Sequence, residues 1–504
     1  MILKYKLYYK MTDRNPDMDD EISTDKIPDL IKIGEIPSSY AQSLSTDIIE
    51  PVTISNDRCR FTLERVSGFL HSNSKITLGV IPLTNARAFY PLSIGVSNLL
   101  KSATLSIGGS VVCSVSDYSH FHSYQSLFIS NENNKEREQY LSQRCMSHGA
   151  VYDSDLTLAR AAVDTPNSAK QCGLDLGRNP VVLADDKQEL QLLPFQMNDA
   201  TSAQTIADAP LYSVYLSDLF PFLATNQIPA FLIDQQIHID LVFEDGLTSI
   251  SGTQRSRRMC TTGNNAVDYK INTEEIRLIY DSISYDGEIM RQYAEQNPVL
   301  SFDYVDYRLA KRTGDQAEFK NLVFPIGGNG RIVSKVMFAI TPNGTATPAS
   351  LLNNICARGA QQNTAHTTRD GKLAVNLIYN DLFEFNVDRS NSALLFHTTQ
   401  QAEGAVPMIV ADEWQKRGLK TTNVQGLTAA KMEGHTQNSG ADGLESAFQW
   451  IAIRPNKGQR VNNKGMDLHY KSAGLNAETY TLRVYLELAK TATIQNGEFS
   501  CYFS

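Results

Sequence analysis

The 504-residue chain is poor in the residues that most catalytic and binding chemistries need: it has two tryptophans, nine histidines and seven cysteines. The cysteines, at 59, 113, 145, 172, 260, 356 and 501, are odd in number, widely spaced and without a C-x-x-C pair. That pattern excludes a disulfide framework and a cysteine zinc site, and is the pattern of reduced thiols in a protein made inside a cell. No run of about 18 apolar residues exists to span a bilayer as a helix. Lys4, Lys6 and Lys10 interrupt the N-terminal stretch, so a signal-peptide core is not expected. An excess of positive charge is also missing. Lys plus Arg number 46 against 55 Asp plus Glu, a formal charge of −9. Direct sequence-specific nucleic-acid binding, which needs clustered phosphate-neutralising cations, is therefore not expected.

Catalytic motifs are missing as well. There is no G-x-S-x-G elbow, H-E-x-x-H, P-loop or dinucleotide fingerprint. His120-x-His122 is the strongest metal-like pair, since on a strand this spacing puts both imidazoles on one face. Two ligands do not make a site, and a polar loop edge is the ordinary reading. Gly327-Gly328-Asn329-Gly330 lacks a following Lys-Ser/Thr and reads as a hairpin turn. Asp185-Asp186 and Glu274-Glu275 are adjacent carboxylates that point to opposite faces of a strand and read as solvated charge. Arg255, Arg257 and Arg258 lie in a polar stretch and read as an exposed loop. Asn343-Gly344-Thr345 matches a glycosylation sequon by chance. The expectation is no catalytic, cofactor-binding or metal residue, no cofactor and no enzymatic activity.

What is present is strand signal. Apolar residues make up 42%, and of the aromatics 22 are Tyr and 20 Phe, which favours strands. Leu105, Ile107, Gly109, Val111, Cys113 and Val115 alternate with Thr104, Ser106, Gly108, Ser110, Val112 and Ser114. Gly108-Gly109 there reads as a two-residue hairpin turn or a bulge. Ile237, Ile239, Leu241 and Phe243 form a second alternating row. Ile332, Ser334, Val336, Phe338 and Ile340 form a third, and Tyr480, Leu482, Val484, Leu486 and Leu488 a fourth.

Helices are few. Ser217-Asp218 can cap one through Leu223, with Pro221 in its first turn. Asp286 can cap another that carries Ile289, Met290 and Tyr293 and stops at Asn297-Pro298. Ser390 or Asn391 can cap a third through Leu394, Leu395 and Phe396. Long polar stretches (117–185, 246–272, 342–372, 403–445) separate the strands and read as interaction surfaces.

The expected organisation is an extended N-terminal arm at 1–50, a first sandwich with a C-terminal linker at 51–272, and a second sandwich at 273–504. The arm carries the apolar residues Ile27, Leu30, Ile31, Ile33 and Ile36 between prolines and is expected to contact something outside its own sandwiches. The apolar loop segment Ala405–Val410 needs cover, which a closed oligomer supplies.

Five segments in order carry a resemblance. ATLSIGGSVVCSVSDYSHFHSYQSL (103–127) resembles the first-domain segment of double jelly-roll major capsid proteins of eukaryotic dsDNA viruses, the lineage of virophages, polinton-like viruses and nucleocytoplasmic large DNA viruses. LYSVYLSDLFPFLATNQIPAFLIDQQIHIDLVF (211–243) resembles that domain's close. YDSISYDGEIMRQYAEQNP (280–298) is similar to the opening of the second jelly roll. YNDLFEFNVDR (379–389), with Asn380-Asp381 at a turn, and LRVYLELAKTATIQNGEF (482–499) resemble later parts of the second domain.

The resemblance implies an all-β chain of two consecutive eight-stranded jelly rolls with long inter-strand loops and a few short helices. It implies a major capsid protein, whose homotrimers form pseudo-hexameric capsomers that tile an icosahedral virion shell. The implied partners are other copies of the chain, neighbouring capsomers, penton and minor capsid or cement proteins, and in some viruses an internal membrane. The implied location is the virion, after synthesis and assembly in the host cytoplasm or a viral factory. The competing readings are a lectin-like carbohydrate-binding jelly roll and a minor capsid or attachment protein. A sugar site wants an exposed aromatic platform, and Trp414 is the single candidate, because Trp450 in AFQWIAI reads as buried strand.

Overall fold

The fold is described from a computed structural model, over residues 42–64, 68–71, 73–82, 95–125, 211–244, 269–342, 373–380, 382–388, 392–403, 450–455, 460–472 and 479–504. In the first half the longer strands are β1 (Gln42–Ile49), β2 (Arg58–Leu63), β3 (Leu100–Ile107), β4 (Ser110–Ser116), β5 (Ile237–Phe243) and β6 (Leu278–Tyr285). One sheet runs β2-β5-β3-β4, with Thr53–Ile54 outside β2. In the other, β6 has Phe69–Leu70 and Lys75–Leu78 along one edge and β1 along the opposite edge. Period-two burial builds this sandwich: on β5, Ile237, Ile239, Leu241 and Phe243 are buried while His238, Asp240 and Val242 face outward.

In the second half the strands are β7 (Val299–Asp315), β8 (Leu322–Gly327), β9 (Val333–Pro342), β10 (Leu373–Tyr379), β11 (Leu382–Asp388), β12 (Met466–Ser472), β13 (Thr479–Gln495) and β14 (Glu498–Phe503). One sheet runs β7-β13-β9 and ends on Ile451–Ile453, with β14 continuing beside β13; the other runs β8-β12-β10-β11. All pairings in both halves are antiparallel. Three helices matter below: α1 (Tyr118–Gln125), α2 (Gly287–Gln296) and α3 (Ser392–Glu403). Among the described residues no helix is long and apolar enough to cross a membrane.

Several local expectations hold. Gly108 and Gly109 turn the β3–β4 hairpin with φ of +54° and +89°. Asp286 caps α2, its carboxylate accepting from the Glu288 N–H at 2.9 Å. Asn380 sits at the β10–β11 turn with φ of +53°.

Others are corrected. β6 pairs with Phe69–Leu70, Lys75–Leu78 and β1, so residues 278–285 share a sheet with strands of the first half, and Leu278 and Tyr280 are buried. The chain crosses to the second sandwich through α2. Residues 42–49, the end of the expected arm, form a strand paired with β6, and residues 1–41 lie outside the described residues. Tyr269–Ile271, in the expected linker, pairs with Val80–Pro82. The helix expected at 217–223 is two, Leu216–Leu219 and Pro221–Thr225, because the chain extends at Phe220 to place Pro221 at a helix start. Gly327–Gly330 is a turn but not a hairpin, since β8 and β9 lie in different sheets. Glu274 and Glu275 are exposed on a turn.

Candidate functional site

The most elaborate polar arrangement among the described residues is the junction between the two sandwiches. β4 is the last strand of its sheet, so its outer backbone groups need partners other than a neighbouring strand. Side chains of the second sandwich supply them. A β-bulge at Val112 interrupts pairing with β3 and leaves two successive carbonyls within reach of one ammonium. Lys490 Nζ donates to the Val111 carbonyl at 2.6 Å and to the Val112 carbonyl at 2.7 Å. Tyr304 donates its hydroxyl to Val112 O at 2.9 Å, and the Cys501 thiol lies 3.2 Å from Val111 O. The Ser114 N–H donates to Asp306 Oδ1 at 3.3 Å. At the strand's end the Tyr485 hydroxyl reaches Ser116 O and Asp117 O at 2.9 and 3.0 Å.

Three ion pairs frame this edge. Lys490 Nζ lies 3.2 Å from Asp306 Oδ2, both side chains nearly out of solvent. Burial pushes the Asp306 carboxyl above its ordinary value, a rise that Lys490 only partly offsets. Asp117, held at φ +48°, meets Arg483 Nε at 2.8 Å and Lys311 Nζ at 3.0 Å. Burial raises its carboxyl, but Arg483 and Lys311 outweigh that and hold it below the usual carboxylate range.

A second cluster lies where α1 meets α3 and β13. Lys335 Nζ sits 2.7 Å from Glu403 Oε1 and 3.0 Å from Glu487 Oε2. Glu487 also accepts from the Tyr307 hydroxyl at 2.7 Å and the Ser334 hydroxyl at 2.8 Å, and Tyr124 donates to Glu403. Burial works against the charged forms of Lys335 and Glu487. Their mutual attraction wins, so Lys335 is held above and Glu487 below its ordinary value. Around these charges the rings pack edge to face or tilted. Phe121 lies 4.5 Å from Tyr307 and 5.4 Å from Tyr485, Trp450 5.6 Å from Tyr124 and 5.9 Å from Tyr485, and Phe222 4.7 Å from Tyr304. These ionic groups are engaged with fixed partners inside the protein, so the arrangement ties two sandwiches together and leaves no free nucleophile or base among the groups just named.

The structure relocates the sequence candidates. His120 and His122 are on α1 rather than a strand or loop edge, and both are buried. Two residues apart on a helix they point to different sides and share no face. Trp450 is fully buried and presents no sugar platform. Trp414, Asp185, Asp186, Arg255, Arg257, Arg258, Asn343 and Ala405–Val410 lie outside the described residues.

Sequence reasoning missed Asp117, Asp306, Lys335, Arg483, Glu487 and Lys490. One signal was available in β13. Its polar row, Arg483, Tyr485 and Glu487, mixes charge with an aromatic, and in the structure Arg483 and Tyr485 are buried and Glu487 half-buried.

No family model and no curated protein matches the chain. Solved structures do. A chain in the cryo-EM structure of the Sputnik virophage superposes with a TM-score of 0.52 at 12% identity, covering 98% of this chain and 92% of that one. The chain has the double jelly-roll fold. At 12% identity the likeness speaks for the fold. The PBCV-1 virus capsid (TM-score 0.48, 9% identity, 92% of this chain and 97% of that) and the mavirus major capsid protein (0.47, 9%, 91% and 90%) are also similar. In a double jelly roll the junction described above is the seam between the two rolls.

Proposed function

We propose that the protein is a major capsid protein, that three copies form a pseudo-hexameric capsomer, and that capsomers tile an icosahedral virion shell. The observation that carries this reading is the double jelly-roll fold shared over 98% of the chain with a chain of the Sputnik virophage structure. The junction supports it. A shell tile must resist bending between its two rolls, and an edge strand capped by buried Lys490, Tyr304, Asp306 and Tyr485 resists it better than a flexible linker does. The division that fits the strand pairing has the first roll running from β1 through β6, α2 as connector, and the second roll from β7 to β14. Penton and minor capsid or cement proteins, neighbouring capsomers and, in some particles, an internal membrane are the partners of such a tile. The virion is its location and the host cell its place of assembly. No residue is assigned a catalytic, cofactor or metal role. Negative-stain electron microscopy of the purified protein is the test. Hexagonal-outlined particles and their sheets or shells are expected, and a field of small particles with no threefold outline at any concentration contradicts the reading.

A further inference from the structure

The short strand β14 lies over the most deeply buried charges of the seam. It leaves β13 through Asn496 and Gly497, whose φ of +52° and +81° suit the two-residue hairpin turn that favours Asn-Gly. One edge pairs with β13, from Glu498 opposite Gln495 to Phe503 opposite Lys490. The other side meets the first roll. The Asp234 N–H donates to Gly497 O at 2.9 Å, and the Phe499 N–H donates to Gln235 Oε1 at 2.9 Å. That receiving segment is fixed to the β3–β4 turn, where the Gly108 N–H donates to Gln236 O at 3.1 Å. Further along, the Cys501 thiol shares Val111 O with Lys490. Phe503 then closes over Lys490, its ring centroid 4.9 Å from Nζ and 4.0 Å from Arg331 Cζ.

The strand and what it covers are held with unequal strength. The grips named between β14 and the first roll are two neutral hydrogen bonds and a thiol contact, and Tyr502 is 57% exposed. Beneath it, Lys490 and Asp306 are an ion pair with side chains only 5% and 10% exposed. Segments with few buried contacts open locally while the rest of a fold stays intact. We propose that β14 is a lid on the seam. Shut, it keeps water from Lys490 and Asp306, and a pair so sheltered is little screened. Open, it leaves both rolls folded, lets water reach the pair and loosens the hold of the second roll on β4. This goes beyond the capsid reading and does not depend on it. For a shell tile, the closed lid is the state in which the two rolls move as one body.

The turn offers a lock. A Cβ at Gly497 lies 3.3 Å from Asp234 Cβ, close to the roughly 3.8 Å of a disulfide. Asp234→Cys combined with Gly497→Cys is expected to join when treated with glutathione disulfide, two glutathione thiols leaving as the new bond forms. When reduced, position 497 carries an unbonded side chain at a positive φ that favours glycine, so the lid is loosened. Hydrogen exchange with mass spectrometry on the soluble protein reads the result at the Ser114 N–H. Its acceptor, Asp306 Oδ1, lies across the seam, and neither group is substituted. The reduced form is expected to exchange Ser114 several-fold faster than the oxidised form, with β5 exchanging equally in both. The unsubstituted chain, treated alike, controls for the native cysteines. Gln235→Ala, which takes the acceptor from the Phe499 N–H without adding bulk, is expected to speed Ser114 in the same sense. Equal exchange at Ser114 with the lock open or shut, failure of the disulfide to form, no effect of Gln235→Ala, or a rise in β5 that matches Ser114 each overturns the lid. The capsid reading is untouched by any of these, because no shell is needed for the measurement.

Discussion

Lys490 Nζ stands 3.2 Å from Asp306 Oδ2 while it donates to the carbonyls of Val111 and Val112, so one ammonium from the second jelly roll completes the backbone edge of the first. Removing it leaves a buried carboxylate without its cation and two carbonyls short of a donor. Lys490→Met is expected to cost about 3–5 kcal/mol. The denaturant midpoint at constant m-value measures it. Adding Asp306→Leu is expected to recover part of the loss, since the orphaned charge is removed while each carbonyl keeps only its other donor, Tyr304 or Cys501, and the Ser114 N–H loses its acceptor. A single change within experimental error of the parent contradicts the role given to Lys490.

Asp117 gives the junction a pH dependence of known sign. Its folded pKa lies below the unfolded value of about 3.9, so its contribution is full above that pH and is lost as pH falls through the folded value. Glu487 has the same sign, and Asp306, raised in the fold, the opposite one. Asp117→Asn keeps a residue that tolerates positive φ and removes only the charge. Its stability deficit is expected to be present at neutral pH and to shrink below about pH 4. Chemical denaturation across that range tests this, and a deficit independent of pH contradicts it.

Gly108 couples a turn to the junction. A Cβ there collides with the Gln235 side chain, whose Oε1 accepts from the Phe499 N–H at 2.9 Å, and φ is +54°. Gly108→Ala is expected to destabilise by at least the roughly 1–2 kcal/mol that a left-handed backbone costs other residues. Gly109, with open space around its Cβ position, is expected to show the backbone cost without the collision. Equal losses at the two glycines on thermal unfolding contradict the coupling.

Trp450 separates a buried packing role from a sugar platform. It is fully buried between Tyr124 and Tyr485. Trp450→Ala is expected to cost about 3–5 kcal/mol. A variant as stable as the parent contradicts its place in the core.

The legible parts of the fold were the local ones. Period-two rows at 237–243 and 480–488 each mark a strand, the row at 104–115 marks the two strands of a hairpin until the bulge at Val112 buries Val112 and exposes Val111, and Gly108-Gly109 and Asp286 mark a turn and a cap, because each signal is complete within a few residues. The seam was not legible, because its partners are distant: Lys490 meets Asp306 across 184 positions and Arg483 meets Asp117 across 366. β13 shows why. Its Arg483–Glu487 row obeys strand periodicity and reads as a solvent face, and Phe121 of α1 together with Trp450 and Lys335, all distant in sequence, cover it. His120-x-His122 failed for the converse reason. A two-residue spacing means one face only on a strand, and α1 makes those residues helical.

The proposed capsid tile is a closed trimer. Multi-angle light scattering of the purified protein tests it most directly. A mass of about 168 kDa, three times 56.0, that persists on dilution is expected. A dilution-independent monomer or dimer contradicts it.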